Sequence, residues 1–425
     1  MNFFKDIKEM NSYLLLWFTQ MISGLGSAMT AYALVIWSYK QAGSALQTAL
    51  LMVCSYAPYV ICSVFAGAFS DRWDKKKTML ICDVLAALST LIVLFLLMND
   101  ALQIWHLYII NAVSGLMNTV QQPVSEVATS VLLKREYYQK VGGLRYLSNS
   151  LNSILTPIIT TAIMSFWGIG TVIAIDLISF MIAFLVLLFF IPIPKTESQK
   201  AQESVLQSVL EGVRWLKCNP GVFRLMLFLA GINLVSSMFN ATFPALALSK
   251  ASETAMGAVN FVTGITMLIG SILASFLPAP KSRVKAIWCC LMLSMFTENF
   301  FLAFVNKTWI WCLGAFLGWI AIPLMSANLE TVNRLNIPIE IQGRVFAARN
   351  SFQFFTIPVG YFLGGLLVDK VFEPIMAMQP TSGLLVQLFG LGKGSGAAFL
   401  FAVLWIMGIG ICLLFRGDKH IQRLE

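Results

Sequence analysis

The sequence predicts an all-α membrane protein of twelve transmembrane helices in two six-helix bundles, and three observations carry that prediction. Of its 425 residues, 58% are hydrophobic and only 12% charged, about half the charged share of roughly 25% usual in a soluble domain. The apolar residues come in runs of about 20, the length that crosses a hydrocarbon core as a helix. The cations cluster in short polar stretches between those runs, mostly at every second one.

In chain order the runs occupy residues 13–38, 45–69, 78–98, 103–124, 141–165 and 169–191, then 222–248, 256–278, 285–305, 309–330, 345–369 and 396–415. The first follows a polar stretch, Met1 to Tyr13. It is too long, and lacks a small-residue cleavage site, to read as a removable signal peptide. With the N-terminus inside, only Lys40, Lys250, Lys307, Lys370 and Lys393 fall outside, leaving 24 of the 29 Lys and Arg on the inner side. Short cytoplasmic loops retain Lys and Arg, so this asymmetry sets the orientation and places both termini in the cytoplasm. The longest polar stretch, Pro192 to Pro220, lies between the sixth and seventh runs. It separates an N-terminal bundle, residues 1–191, from a C-terminal bundle, 221–425, with 192–220 as a cytoplasmic linker. Ser204 to Lys217 within it repeats apolar residues at helical spacing, the pattern of an amphipathic helix lying along the inner membrane surface.

The same observations exclude several function classes. A net charge of +9 would suit nucleic acid, but the cations are spread through loops rather than gathered as a stripe on one domain, so retention of positive loops accounts for it. The eight cysteines include seven inside apolar runs, singly or as Cys289-Cys290, and none shows metal spacing or a disulfide framework; they read as small hydrophobes. No His/Cys/Asp grouping has metal or nucleophile spacing, so no metal, no cofactor and no enzyme is expected. Gly390, Gly392, Gly394 and Gly396 surround Lys393 and Ser395. The spacing is not that of a phosphate loop, no strand precedes it, and the topology puts it outside, so nucleotide binding is rejected.

The turn between the second and third runs reads Gly67-Ala68-Phe69-Ser70-Asp71-Arg72-Trp73-Asp74-Lys75-Lys76-Lys77. Its charges cannot enter hydrocarbon, where each costs roughly 2.5–3.5 kcal/mol or more, and its four cations place it on the inner surface. The spacing Gly-x-x-x-Asp-Arg-x-x-Lys-Lys resembles the loop between helices 2 and 3 of the major facilitator superfamily, with Asp74 where that family has a second glycine. Further stretches extend the likeness: Asp176 to Phe180, Gly343 to Phe346 followed by Pro358 to Gly365, and Phe389 to Gly396. Together they make the chain resemble the macrolide-efflux branch, bacterial drug:proton antiporters with relatives that export siderophores or metal ions or move lysophospholipids. Two departures stand beside this. The counterpart loop, Pro278 to Lys285, keeps its cations but lacks the Asp, and Thr156-Pro157 occupies a position where many antiporters have Gly-Pro.

The resemblance implies the major facilitator fold and a secondary active efflux transporter. It would export an amphipathic, drug- or macrolide-like organic compound in exchange for protons by alternating access. The alternative is a transporter of a lysophospholipid, siderophore or other endogenous metabolite with the same fold, including a facilitative one. Implied with it are a bacterial cytoplasmic membrane and a small-molecule substrate and protons as partners; composition adds the lipid bilayer and no nucleic acid, and a monomer is expected because each half already provides the other's partner surface. A cytoplasmic gate is implied too, in which Gly67, Asp71, Arg72, Lys75 and Lys76 approach Arg344 where the eleventh span begins. A carboxylate beside a helix N-terminus gains roughly 0.3–1 kcal/mol; a loop that merely fixes orientation is the competing reading.

Ionisable residues deep in spans are functional candidates because burying charge there is costly. Glu298 lies roughly 20 Å along the ninth span from Lys285, at about 1.5 Å per residue, and Asp176 lies some way into the sixth. Either could carry the coupled proton, since a carboxyl kept from water holds a proton more readily. The competing uses are an interhelical hydrogen bond for Asp176 and a water-reaching place near the outer interface for Glu298. Asp83, Glu126 and Glu330 sit near inner span ends and are expected to snorkel or pair with loop cations. Uncharged polar groups among aromatics suit a cavity for an amphipathic substrate. These are Gln20, Ser23, Ser27 and Tyr32 in the first span, and Asn149 and Asn152 in the fifth. The seventh offers Asn233, Ser237, Asn240 and Phe243, and the eleventh Gln353 and Phe354. Helix packing, worth about 0.6 kcal/mol per polar contact, competes for each of them.

Overall fold

Charged residues and small caps decide where the helices begin. The computed structural model describes residues 3–72, 74–132, 138–193, 205–338, 345, 348 and 352–424, and among them every regular element is helical. The helices are α1 (Phe3–Ala42), α2 (Ala45–Arg72), α3 (Lys75–Met98), α4 (Ile104–Leu132), α5 (Tyr138–Trp167), α6 (Ile169–Phe190), α7 (Val205–Cys218) and α8 (Pro220–Lys250). They continue with α9 (Glu253–Phe276), α10 (Arg283–Phe304), α11 (Thr308–Trp319), α12 (Ile322–Asn336) and α13 (Thr356–Leu367). A π-helical turn, Val368–Phe372, leads from α13 into α14 (Glu373–Ala377); α15 (Leu384–Phe389), α16 (Ser395–Arg416) and α17 (Lys419–Gln422) follow.

Side-chain oxygens supply acceptors for first-turn amides that have none within their own helix. Asp74 accepts the Lys77 N–H at 3.0 Å to open α3, so the residue that replaces the family's glycine is a helix cap. Ser252 does the same for α9 (3.1 Å, from Ala255) and Ser282 for α10 (3.2 Å, from Lys285). Pro220 starts α8, where its missing N–H costs nothing.

Eleven helical stretches among the described residues are long and apolar enough to cross a membrane. The remaining one of the twelve expected runs falls in α4. It has 29 residues, ample length, but Asn111, Asn118, Gln121 and Gln122 reduce its apolarity. Two crossings are interrupted: the tenth breaks between Trp319 and Ile322, just before Pro323, and the eleventh passes through the π-helical turn.

By its contacts the chain divides into two units, residues 1–37 with 54–202, and residues 38–53 with 203–425. In the first, α3 packs on α4 and α6, and Leu16, Met79, Val124, Ala128, Leu187 and Ile191 form a buried cluster. Lys76 Nζ donates to the carbonyls of Leu188 and Ile191, both at 2.9 Å. A cation of the signature turn thus satisfies carbonyls at the C-terminal end of α6, where positive charge is favoured.

In the second unit α8 lies along α13, and α10 along α16. The α8–α13 approach is closed by glycine: a Cβ on Gly360 would come within 2.0 Å of Ser237 Oγ, and one on Gly364 within 3.0 Å of Met238 Cα. α7 buries Gly212 and Leu216 and exposes Glu211, Arg214 and Lys217.

Residues 38–53 join this unit through a polar clasp. Asp369, on the π-helical turn, accepts Ser44 Oγ (2.5 Å), the Ala45 N–H (3.0 Å) and the Leu46 N–H (2.9 Å), and so caps α2. Four residues on, Glu373 accepts the Gly394 N–H at 2.8 Å where α16 begins; the N–H groups of Gly396 and Ala397 also reach it. Gly390, Gly392 and Gly394 have φ of 78°, 82° and 92°, a region open to glycine at little cost. The glycine-rich loop is therefore a carboxylate cradle, filled by the chain's own Glu373. Around it Tyr39 bonds Ser249 (2.6 Å), Lys40 pairs with Glu253, and Lys393 lies over the Tyr39 ring at 5.6 Å. A cavity of about 510 Å³ lies between Tyr39, Asp369, Glu373 and Lys393.

Replacing Asp369 by Ala should remove three hydrogen bonds and cost about 2 kcal/mol, the upper range for one cap. A thermal melt of the detergent-solubilised chain should show the transition falling by a few degrees, with Lys370→Ala on the same turn unchanged. Equal melting of the two variants would show that the clasp contributes no stability.

Candidate functional site

Among the described residues, three carboxylates are buried in the helices that a membrane would surround. Asp176, on α6, is 3% exposed. Gly26 lets α1 reach it: a Cβ there would stand 3.0 Å from Asp176 Cα and 2.5 Å from Ser179 Oγ. Across this contact Ser27 Oγ donates to Asp176 Oδ1 at 3.0 Å, and Ser179 Oγ donates to the Asp176 carbonyl at 2.8 Å. The interhelical hydrogen bond weighed for Asp176 is thus formed. Its partner, Ser27, is one of the expected cavity residues.

Asp83 departs from its expectation. Rather than snorkelling, it is 9% exposed and lies roughly 12 Å along α3 from Lys75 at about 1.5 Å per residue, facing inward. Its Oδ1 accepts Gln121 Nε2 of α4 at 2.6 Å. Gln20 of α1 interacts with the same carboxyl, although Gln20 Nε2 and Asp83 Oδ2 are both buried without meeting strict hydrogen-bond geometry. The sequence held a usable signal: Asp83 and Gln121 each lie about one helical turn inside the same end of their predicted runs. Depth matched across runs would have paired them.

In the second unit Glu298 of α10 is 6% exposed, which removes the water-reaching alternative. It faces α11, where a Cβ on Gly318 would come 3.0 Å from Glu298 Cβ. The Trp319 side chain interacts with its carboxyl, with the indole N–H outside strict hydrogen-bond geometry.

The uncharged candidates separate into two sets. Asn233 Nδ2 donates to the Gln353 carbonyl at 3.3 Å, linking α8 to residues just before α13. Ser237 is buried and spends its hydroxyl on the Asn233 and Leu234 carbonyls, at 2.7 and 2.9 Å. Gln353 is buried, and Phe243 is buried and stacked on Phe239 at 5.8 Å between centroids. Asn152 faces α1, its Nδ2 3.6 Å from where a Cβ on Gly24 would lie. Ser23, Tyr32 and Phe354 are half-buried, whereas Ser27, Asn149 and Asn240 are exposed. Of the expected gate, Lys75 is buried and Lys76 holds α6. The surroundings of Gly67, Asp71 and Arg72, and all of Arg344, lie outside the described residues.

Membrane-length helices with buried acids and amides between them define a polytopic membrane protein. Residues 16–277 match the Major Facilitator Superfamily, and the chain belongs to that family. Macrolide efflux protein A of Streptococcus pyogenes is 24% identical over 370 residues, covering 84% of this chain and 89% of that protein. Its namesake from Enterococcus faecalis is 24% identical over 75% of this chain and 99% of that protein. The multidrug efflux pump Tap of Mycolicibacterium fortuitum is 23% identical over 84% and 89%. Among solved structures, a mutant of the nucleoside transporter NupG aligns over 95% of this chain and 100% of its own, with a TM-score of 0.72 at 13% identity. That likeness is one of fold.

Because Gly26 has no room for a Cβ, Gly26→Ala should destabilise the chain by roughly 1–3 kcal/mol through overpacking. Adding Ser179→Ala removes the closest atom and should recover part of that loss. Thermal melts of both single variants and the double variant measure the coupling; strict additivity would show that α1 and α6 do not meet there.

Proposed function

We propose that this chain is a secondary active exporter that expels an amphipathic, drug- or macrolide-like compound in exchange for protons. The observation that carries the reading is its similarity, over 84% of its length, to Macrolide efflux protein A. The buried acids supply the physical means. A carboxylate inside a membrane protein is costly when charged and much less so when neutral, so gain and loss of one proton changes how its helices pack. Asp176, Glu298 and Asp83 are the candidates. Ser27, Asn149 and Asn240, polar and open, offer contacts to a passing substrate.

In this reading the chain works by alternating access, its binding site open to one side of the membrane at a time. A proton taken up from the outside stabilises the packing that releases substrate outward. Its departure to the cytoplasm returns the protein to the state that accepts the next molecule. The chain works as a monomer in a bacterial cytoplasmic membrane, with both termini inside, as its charge asymmetry favours.

Inside-out vesicles energised to an acidic lumen and loaded with a pH-sensitive dye provide the test. Adding a macrolide or another amphipathic compound should raise lumenal pH with the native chain. One of Asp176→Asn, Glu298→Gln and Asp83→Asn should abolish the response while leaving downhill exchange of the compound intact. A folded protein that moves no protons with any such compound contradicts the proposal.

A further inference from the structure

A second cavity, of about 250 Å³, opens where α10 begins and α16 ends. By the charge asymmetry this is the cytoplasmic end of those helices. Its walls combine two chemistries. Leu225 and Phe228 of α8, Ile287 of α10 and Phe415 of α16 are apolar, whereas Lys285 and Arg416 bring two cations to the same space. Arg416 lies over the Trp288 ring at 5.0 Å, and Trp288 Nε1 donates to the Cys412 carbonyl at 2.6 Å, which holds that ring in place.

Among the described residues no carboxylate lines this cavity. The acid nearest in sequence, Asp418, is already engaged: it accepts Arg224 at 2.8 Å and the N–H groups of His420 and Ile421 at 2.8 and 3.3 Å. Burial would raise the Asp418 carboxyl, but these bonds outweigh it and hold the group below the usual carboxylate range. Arg416 and Lys285 therefore face the space without an acid among the described residues of its walls. Beside it, Leu413 and Leu414 are 51% and 80% exposed, so this stretch of α16 presents apolar side chains outward as a lipid-facing surface does.

From this geometry we infer a binding site for an anionic glycerophospholipid of the cytoplasmic leaflet. Its phosphodiester lies between Lys285 and Arg416, and the start of one acyl chain lies along Phe228, Ile287 and Phe415. Basic pockets at the cytoplasmic ends of transmembrane helices suit such headgroups, each nearby cation adding to the attraction. The apolar walls commit the site to a lipid over a free anion, which would leave them uncovered. The inference does not depend on what the protein transports.

Native mass spectrometry of the intact detergent-solubilised chain, titrated with phosphatidylglycerol or phosphatidylcholine, tests it. The native protein should retain one phosphatidylglycerol in preference to phosphatidylcholine, and millimolar inorganic phosphate should not displace it. The double variant Lys285→Gln, Arg416→Gln should bind phosphatidylglycerol roughly thirtyfold more weakly, as the loss of two such cations implies. Lys285→Arg with Arg416→Lys should retain it, which separates lost charge from lost folding. Equal retention of both lipids, displacement by phosphate, or undiminished binding in the uncharged variant would each overturn the inference.

Discussion

The first amides of a helix have no acceptor within it, and where water is scarce each must find one in the protein. Asp369 and Glu373 meet that demand for two helices at once. Asp369 lies on the π-helical turn and Glu373 four residues on, at the start of α14; Asp369 caps α2 and Glu373 receives the start of α16. Other features follow from this arrangement. The glycine-rich loop bends through three positive φ angles so that its amides face Glu373. Residues 38–53, from the first pair of helices, take their place in the second unit. Replacing either carboxylate leaves several amides without their acceptor, so the two acids act as joints rather than as isolated surface charges.

The same economy governs polar groups deeper in the helices. Asn233 and Ser237 spend their bonding capacity on neighbouring carbonyls, which suits packing between helices more than recognition of a passenger. Ser27, Asn149 and Asn240 are exposed, although Asn240 Nδ2 also donates to the Ser236 carbonyl at 2.8 Å. Ser27 also touches Asp176, so an exposed hydroxyl leads directly to a buried acid. Under the proposed function, that pairing would link the substrate to a titratable group.

Much of the fold was legible because hydropathy and charge act over whole helices. Runs of about 20 apolar residues have few alternatives to crossing the membrane, and the Gly67 turn carried enough spacing to suggest the family. Contacts between distant helices were less legible. Asp83 read as an interfacial residue because its partner Gln121 is on another helix. The loop at Gly390 was set aside as a phosphate site for sound reasons, yet nothing local revealed that Glu373 fills it. Asp74 looked like a lapse from the family pattern until its bond to the Lys77 amide showed a cap. In each case the missing information was a partner, and a partner is a property of the packing rather than of the residue.

The most direct test of the account is the accumulation of a radiolabelled macrolide in bacterial cells that lack an exporter of their own. Cells producing this chain should hold less of the compound than cells without it, and a protonophore should erase the difference within minutes. Equal accumulation for every amphipathic compound tried, or a difference that survives collapse of the proton gradient, would contradict proton-driven export.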